Sequence, residues 1–291
     1  MSQSRKTNGE RTKMHGMHAR LPKNFVLEER LERYADAIEL EPQKYAGRWA
    51  QACHDLSSTG SDAHGFDEVR LDLGCGKGAF VVECAKQRPN TLYVAMDAEP
   101  LCVAYAAQHV TEAGLRNAVV VPARGSSVAK IFGPQELACI HLNFPTPYPR
   151  KREANKRLVA LERLLEYREV LRAGGTVRLR TDSQPLRDFT LTQLRIAGYD
   201  VVWQSDDARR ERPNEPGSEY EERLAAKGAT VYAVWATPGP LPQSVEQTAS
   251  LSLIDYLPDD LFANGYVPHG MDGAVINLRN QRARRERSVL S

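Results

Sequence analysis

The chain has 291 residues, of which 42% are hydrophobic and 26% charged, and its formal net charge is +2 at pH 7. This composition is typical of a globular protein with a sizeable core, either one large domain with extensions or two small domains. No stretch approaches the roughly 18 apolar residues of a membrane-spanning helix. The N-terminus is basic without an apolar segment behind it, which argues against a secretory signal and favours the cytoplasm.

Cysteine and histidine give no pattern of a disulfide or metal site. The five cysteines are scattered without a Cys-x-x-Cys pair, and several fall in predicted core elements, where cysteine behaves as a small hydrophobe. His15 and His18 lack the closed four-ligand set that zinc prefers. We therefore expect no disulfide framework and no metal site.

Positive charge is concentrated in three short runs on a nearly neutral chain. Residues 1–20, 150–157 and 279–287 each hold five Lys or Arg against one Glu. Local basic patches of this kind suit a polyanionic partner. For the two terminal runs, a solvated surface or tail is an equally good interpretation.

The predicted elements begin after a basic tail at residues 1–24, which we expect to be disordered. Residues 25–49 are typical of a helix followed by an extended approach to the first strand. Beyond them, short apolar runs alternate with segments of helical periodicity. We predict strands at 69–74, 91–98, 118–123, 137–144, 176–182, 200–205 and 230–237. We predict helices at 79–88, 101–114, 155–175 and 185–198.

This alternation predicts one doubly wound, Rossmann-like α/β domain over residues 25–238. Its seven-stranded sheet should be mostly parallel, with helices on both faces. The last two strands are joined without a clear helix, so we expect an antiparallel strand at the sheet edge. Residues 239–291 are interpreted as a linker and an Arg-rich C-terminal extension.

A glycine-rich loop follows the first predicted strand, in "LDLGCGKGAF" at residues 71–80. In an open α/β sheet the ligand binds at the carboxyl ends of the strands. Gly74 and Gly76 lack the Cβ atoms that would keep the backbone away from such a ligand. Asp97 ends the second strand 21 positions after Gly76, where an acid can hold ribose hydroxyls.

Two cofactors fit this loop. With Ala79, the glycines satisfy the loose dinucleotide pattern G-x-G-x-x-G/A, so glycine spacing alone leaves a nicotinamide enzyme open. Asp72, two residues before the first glycine, points a negative charge into the pocket. That charge would repel a pyrophosphate but suits the cationic end of S-adenosylmethionine. The acid therefore favours a methyltransferase over a dehydrogenase.

A proline-rich loop ends the fourth predicted strand, in "HLNFPTPYPRKREANKRL" at residues 141–158. That strand should lie beside the first one, which would place residues 143–150 over the methyl group of the cofactor. Three prolines stiffen the loop, and a stiff loop can aim a methyl acceptor. Tyr148 is a candidate for packing on a base or on the cofactor. Basic residues on the first turns of the following helix would meet phosphates: Lys151, Arg152, Lys156 and Arg157.

Together these motifs resemble the bacterial tRNA (guanine-N7-)-methyltransferases, which use S-adenosylmethionine to modify a guanine in the variable region of tRNA. The similarity covers about residues 40–237, beginning with "EPQKYAGRW" at 41–49. It ends with "RTDSQPL" (180–186) and "SEYEERLAAKG" (218–228), which look like the family's Thr-Asp-Asn and Thr-x-Tyr-Glu motifs. The proline-rich segment is its most specific part.

The resemblance implies a cytoplasmic enzyme that takes S-adenosylmethionine and tRNA, without metal or membrane, as a monomer or weak homodimer. The residues implied to bind the cofactor are Asp72, Gly74, Gly76, Asp97 and Asn143. Those implied to bind the substrate are Arg150, Asp182, Ser218, Glu219, Tyr220 and Glu221. A carboxylate such as Asp182 suits this role, because guanine has donors on its Watson–Crick edge while N7 is the attacked atom. A helix N-cap is the alternative for Asp182.

Two positions depart from the family pattern. Thr146 stands at the loop position where the family has its functional aspartate, and Arg124 replaces an acid after the third strand. Guanine N7 already has a lone pair, so loss of a charge-assisted contact of about 1.5–3 kcal/mol would slow transfer without abolishing it. If the family's aspartate instead holds the cofactor, Thr146 and Arg124 together would weaken cofactor binding far more, and the sequence leaves both interpretations open. A methyltransferase-fold RNA-binding protein without turnover, or a methyltransferase for another RNA, remain the alternatives.

Overall fold

The computed structural model describes residues 25–52, 65–262 and 265–289, so the predicted tail at 1–24 lies outside the described residues. Its strands are β1 Glu68–Leu73, β2 Thr91–Asp97, β3 Ala118–Pro122, β4 Leu137–Asn143, β5 Leu171–Thr181, β6 Tyr199–Ser205 and β7 Tyr232–Pro238. Its helices are α1 Leu27–Arg33, α2 Trp49–Ala52, α3 Ala79–Gln87, α4 Pro100–Glu112, α5 Val128–Ile131, α6 Leu161–Val170, α7 Gln184–Ile196, α8 Ala208–Glu211, α9 Glu219–Ala225 and α10 Asp272–Val289.

The strands form a single sheet in the order β3-β2-β1-β4-β5-β7-β6. The first five strands pair in parallel, and β7 runs antiparallel to both of its neighbours. The predicted mostly parallel sheet is confirmed, with the antiparallel strand next to the edge strand β6. Strand order reverses between β1 and β4, so a crevice opens at their carboxyl ends, where such folds bind ligands.

Side chains from both faces of the sheet are buried, which explains the continuous apolar runs in the sequence. In β2, Leu92, Val94 and Met96 belong to one buried cluster, while Tyr93 and Ala95 belong to a second. Successive strand residues point to opposite faces, so an apolar run without alternation predicts a strand covered on both sides. This burial fixes the register that brings the strand ends together.

The prediction of one helix over 155–175 is wrong. A short 3₁₀ helix at Lys151–Lys156 precedes α6, and β5 already begins at Leu171. The double glycine lies inside β5, where the register with β4 shifts. A Cβ on Gly175 would lie 3.0 Å from the carbonyl oxygen of Leu137. The glycines therefore mark a bulge with close backbone approach instead of a helix exit.

The segment after β7 packs on the domain. Its buried side chains join the larger core cluster: Leu253, Leu261, Phe262, Met271 and Val275. The Arg-rich run lies on α10, where the Arg279 side chain donates to the Leu261 carbonyl at 2.6 Å and Arg282 to the Asp259 carbonyl at 2.6 Å. Two arginines of the run therefore hold their own segment. The division at residue 238 stays a prediction.

Within the described ranges, no helix has the length and apolarity to cross a membrane. The cysteines described there, Cys75, Cys84, Cys102 and Cys139, are free thiols. The same residues contain no group of three or more His, Cys, Asp or Glu side chains placed to hold a metal ion.

Candidate active site

The glycine loop turns tightly at the carboxyl ends of β1 and β2. Gly74 donates its N–H to the Met96 carbonyl at 2.8 Å and has a φ of +78°, a left-handed conformation that favours glycine. Gly78 packs on α4, because a Cβ there would lie 2.9 Å from the Cβ of Ala106. These contacts hold the backbone of the loop over the crevice.

Asp72 lies at the floor of this loop and is only 1% exposed. Its Oδ1 accepts a hydrogen bond from Asn143 Nδ2 at 3.1 Å, which joins β1 to β4. Burial raises the pKa of Asp72 to about 7, the charge of Asp97 raises it further, and the bond from Asn143 opposes both. Such a desolvated carboxylate gains strongly from a nearby cation. The structure thus brings the two predicted cofactor residues together.

Asp97 holds the glycine loop from the end of β2. Its Oδ2 accepts the N–H of Gly76 at 2.9 Å, and its Oδ1 accepts the N–H of Glu99 at 2.9 Å. Burial raises the pKa of Asp97, and these backbone bonds oppose the shift. Each carboxylate oxygen can accept a further hydrogen bond, so the side chain can still receive ribose hydroxyls.

The proline loop after β4 contains two strained residues. Phe144 has a φ of +50° and Tyr148 a φ of +45°, although neither is glycine. Such conformations cost of order 1–3 kcal/mol each and persist only where the surroundings impose them. On the β5 side, the Phe144 N–H donates to the Arg180 carbonyl at 2.8 Å. The loop therefore has one fixed shape that its neighbours must stabilise.

Arg157 supplies much of that stabilisation, and the prediction that it contacts RNA is wrong. The side chain is 1% exposed, too buried to reach a phosphate. It donates to the carbonyls of Pro147 at 2.9 Å, Tyr148 at 2.6 Å and Leu251 at 2.9 Å. Its guanidinium lies 4.5 Å from the ring centroid of Phe189. The other predicted contacts in this region are exposed: Thr146, Arg150, Lys151, Arg152 and Lys156.

Asp182 follows β5 at the same edge of the sheet and is 7% exposed. Its Oδ2 accepts from the Tyr266 hydroxyl at 2.5 Å and from the His269 N–H at 3.1 Å. The N-cap of α7 is Ser183, whose Oγ accepts the N–H of Leu186 at 3.3 Å, so Asp182 is not the helix cap. The sequence gives no sign that Tyr266 and His269 contact Asp182, because they lie 84 and 87 residues away from it in the chain.

The predicted group at 218–221 begins α9. Ser218 caps the helix, with its Oγ accepting the N–H of Glu221 at 3.1 Å. The buried Glu221 carboxylate pairs with Arg180 of β5, with an Nη2–Oε1 distance of 2.6 Å. The Tyr220 ring meets Phe144 edge-on at 5.7 Å. Glu219 is the first helical residue, and its side chain lies outside the described ones.

These contacts place two members of the group beside β5 and the proline loop. The Glu221 carboxylate is engaged by Arg180 and ties α9 to β5. Tyr220 adds an aromatic wall next to the proline loop. Arg124, the second departure, is exposed after β3 and precedes a 3₁₀ turn at Gly125–Ser127.

Comparisons with known proteins find several that are similar to this chain. A family model described as a putative methyltransferase matches residues 67–234. The tRNA (guanine-N(7)-)-methyltransferase of Lactiplantibacillus plantarum is 33% identical over 206 residues, covering 70% of this chain and 91% of that protein. The enzyme of the same name from Streptococcus suis is 32% identical, covering 67% and 88%. The crystal structure of the 16S rRNA methyltransferase KamB is similar at a TM-score of 0.48 with 18% identity, covering 60% of this chain and 89% of that one.

The buried Arg157 side chain generates the first testable prediction. Arg157→Ala should lower the free energy of unfolding by about 3–5 kcal/mol, since it removes several charge-assisted bonds and leaves strained loop carbonyls without donors. Urea unfolding followed by circular dichroism measures the change. Arg157→Lys should recover only part of the lost free energy of unfolding, because an ammonium group lacks the planar set of donors of a guanidinium.

The matched control is Arg152→Ala in the same basic run, where the side chain is exposed. It should change the free energy of unfolding by less than about 0.5 kcal/mol. Equal effects of the two alanine variants would contradict the structural role of Arg157.

Proposed function

The chain belongs to the family of tRNA (guanine-N(7)-)-methyltransferases, and from this premise we propose that it transfers a methyl group from S-adenosylmethionine to N7 of a guanine in the variable region of tRNA. One observation carries the proposal. Asp72 at the end of β1 and Asp182 at the end of β5 flank the rigid proline loop after β4, with the strands paired β1-β4-β5. The proposed cation site and the proposed guanine-binding carboxylate therefore lie on either side of one stiff element.

The cofactor side is formed by Asp72, Asn143, Asp97 and the glycine loop. The buried Asp72 carboxylate attracts the positive end of S-adenosylmethionine, and Asn143 orients that carboxylate. Asp97 holds the loop by accepting a hydrogen bond from the Gly76 N–H, and it accepts further hydrogen bonds from the ribose hydroxyls. When bound, the cofactor supplies an electrophilic methyl group. The protein residues bind and orient the cofactor, and they exclude water from its methyl group.

The acceptor side is formed by Asp182 and the aromatic wall of Phe144 and Tyr220. Guanine donates from N1 and from its amino group, and a carboxylate accepts from both positions. Its N7 has a lone pair of its own, so alignment with the methyl group carries the reaction and no general base is required. This explains how a chain with Thr146 in the loop can retain activity.

The exposed basic residues after the proline loop are proposed to contact the RNA backbone. Arg150, Lys151 and Arg152 are exposed at the edge where the site opens. Phosphate contacts of this kind position a nucleic acid without reading its sequence. We also propose that the protein works in the cytoplasm as a monomer or a weak homodimer.

Asp72 predicts a pH dependence of cofactor binding. Its pKa of about 7 means that about a tenth of the ligand-free carboxylate is ionised at pH 6 and most of it at pH 8. A cationic ligand favours the ionised form and displaces the proton, so affinity should rise roughly tenfold from pH 6 to pH 8. Calorimetric titration with S-adenosylmethionine at both pH values measures this change in affinity.

Asp72→Asn is the control for this profile. The variant should bind the cofactor weakly and lose the pH slope. Ionisation of wild-type Asp72 lowers stability as pH rises through its folded pKa, because that pKa lies above the ordinary value of 3.8. Without ligand, the melting temperature of the variant should therefore exceed that of wild type by more at pH 8 than at pH 5. An identical slope for both proteins would exclude Asp72 from the site.

Methyl transfer itself is the test of the proposed function. Purified protein with labelled S-adenosylmethionine and unmodified bulk tRNA should give label at a variable-region guanine, mapped by chemical cleavage at N7-methylguanine. Asp182→Asn should reduce kcat/KM by about a hundredfold, the equivalent of two charge-assisted hydrogen bonds, with cofactor affinity within about twofold of wild type.

An exposed aspartate outside the site, Asp36, provides the matched control, and Asp36→Asn should keep the wild-type rate. Weakened cofactor binding with normal turnover in Asp182→Asn would place that residue on the wrong side of the site. Binding of tRNA without binding of cofactor and without label would favour an RNA-binding protein that lacks turnover.

The basic surface predicts a change in salt dependence. Lys151→Ala combined with Arg152→Ala should weaken tRNA binding for all tRNAs alike and reduce the slope of log K against log salt by about 1–2. The matched pair, Lys86→Ala with Arg88→Ala, removes exposed charge at the end of α3, on the opposite edge of the sheet. It should leave the slope unchanged, and equal slopes for both pairs would contradict the assignment.

A further inference from the structure

Part of the C-terminal extension, the described residues 251–262 and 265–271, covers the acceptor side of the site. This segment lies beyond residues 67–234, the region matched by the family model. It nevertheless supplies two hydrogen bonds to Asp182, from the Tyr266 hydroxyl at 2.5 Å and the His269 N–H at 3.1 Å. A buried carboxylate that follows β5 is thus held by residues outside the region matched by the family model.

The same segment is joined to the proline loop. The Leu253 N–H donates to the Pro149 carbonyl at 3.0 Å, and the Leu251 carbonyl accepts from Arg157 at 2.9 Å. Gly270 lies so close to the loop that an added Cβ would be 3.2 Å from Pro147 Cγ. The segment therefore contacts both parts that would enclose a bound guanine.

Burial anchors the segment on the domain. Leu261, Phe262 and Met271 lie in the same core cluster as the β-strands, on either side of Tyr266 in sequence. Burial of such side chains opposes their release from the domain, so the described residues of the segment form a fixed wall. An anchored wall is suited to holding a side chain in one orientation.

Both hydrogen bonds to Asp182 end on the same oxygen, Oδ2. In the part of the chain that the structure describes, no donor reaches Oδ1. Burial and the charge of Asp182 raise the pKa of Tyr266, which keeps its hydroxyl protonated as a donor. The carboxylate is therefore fixed from one side while its other oxygen is left to a ligand.

The aromatic side chains around Asp182 match a planar base. The Tyr220 ring stands edge-on to Phe144 at 5.7 Å and to His269 at 6.3 Å. The extension thus contributes a ring from His269 as well as the hydrogen bonds. Rings around a carboxylate suit guanine, which offers a π face and two adjacent donors.

From these contacts we propose that residues 265–271 of the C-terminal extension complete the guanine pocket, and that Tyr266 is a positioning residue that orients the Asp182 carboxylate. The inference rests on the proposed function and adds a residue from outside the matched region to it. Tyr266 and the His269 N–H hold Oδ2, so that Oδ1 is aimed at the donors of the base. A precise orientation matters because the acceptor atom must be aligned with the methyl group.

The test compares Tyr266→Phe with Tyr256→Phe in full-length protein. Tyr256 lies in the same extension, and its hydroxyl donates to the Ser250 carbonyl at 3.0 Å instead of to Asp182. Removing the Tyr266 hydroxyl should lower kcat/KM for tRNA about tenfold, the size of one hydrogen bond to a charged group. The Kd for S-adenosylmethionine and the melting temperature should stay close to wild type. Tyr256→Phe should remain within about twofold in every measurement.

Binding of tRNA in the presence of S-adenosylhomocysteine gives the same comparison without turnover. Tyr266→Phe should raise the Kd for tRNA about tenfold there as well. An unchanged Kd and kcat/KM would overturn the positioning role. Faster transfer or tighter tRNA binding would overturn it too, since the segment would then obstruct the pocket. Absence of label with wild-type protein would count against the proposed function instead, while the tRNA binding comparison still decides the role of Tyr266.

Discussion

The Arg157 guanidinium is the contact on which the site depends. It binds the carbonyls of the strained proline loop and of Leu251 at the start of the covering segment. The two left-handed aromatic residues cost of order 1–3 kcal/mol each, and charge-assisted hydrogen bonds of about 1.5–3 kcal/mol each offset that cost. One buried side chain therefore sets the loop shape and fastens the C-terminal segment to it, which is why both walls of the acceptor pocket share one support.

Around this support the two acids have opposite surroundings. Within the described ranges Asp72 has one neutral donor, Asn143, and burial makes its charge costly in the absence of a cation. Asp182 receives two donors on a single oxygen, so its position is fixed before any ligand binds. The Asp72 carboxylate is stabilised by the positive charge of a bound ligand, whereas the Asp182 carboxylate is useful because its orientation is fixed. The difference fits a site that binds a cation on one side and aligns a neutral base on the other.

The parts predicted from the sequence are those governed by local rules. Apolar runs such as β2 indicate strands buried on both faces, and the glycines after β1 indicate a tight turn over a ligand. Arg157 was misassigned because a basic run gives no sign of which member is buried, and that depends on carbonyls up to 94 residues away in sequence. The helix over 155–175 was overextended because a bulge glycine in β5 has the same appearance as a helix stop. Tyr266 could not be predicted, since its partner lies 84 residues earlier in the chain.

Thr146 and the C-terminal segment over the site both bear on one requirement, the firm alignment of the base with the methyl group. With threonine in the loop, the proposed alignment of the base depends on how firmly the buried Asp182 side chain is held. A carboxylate free to rotate between staggered positions would lose part of the alignment that catalysis by positioning requires. Hydrogen bonds from Tyr266 and His269 remove that freedom from outside the sheet. A loop without its acid and an extension that fixes a neighbouring acid are therefore mechanistically compatible in one chain.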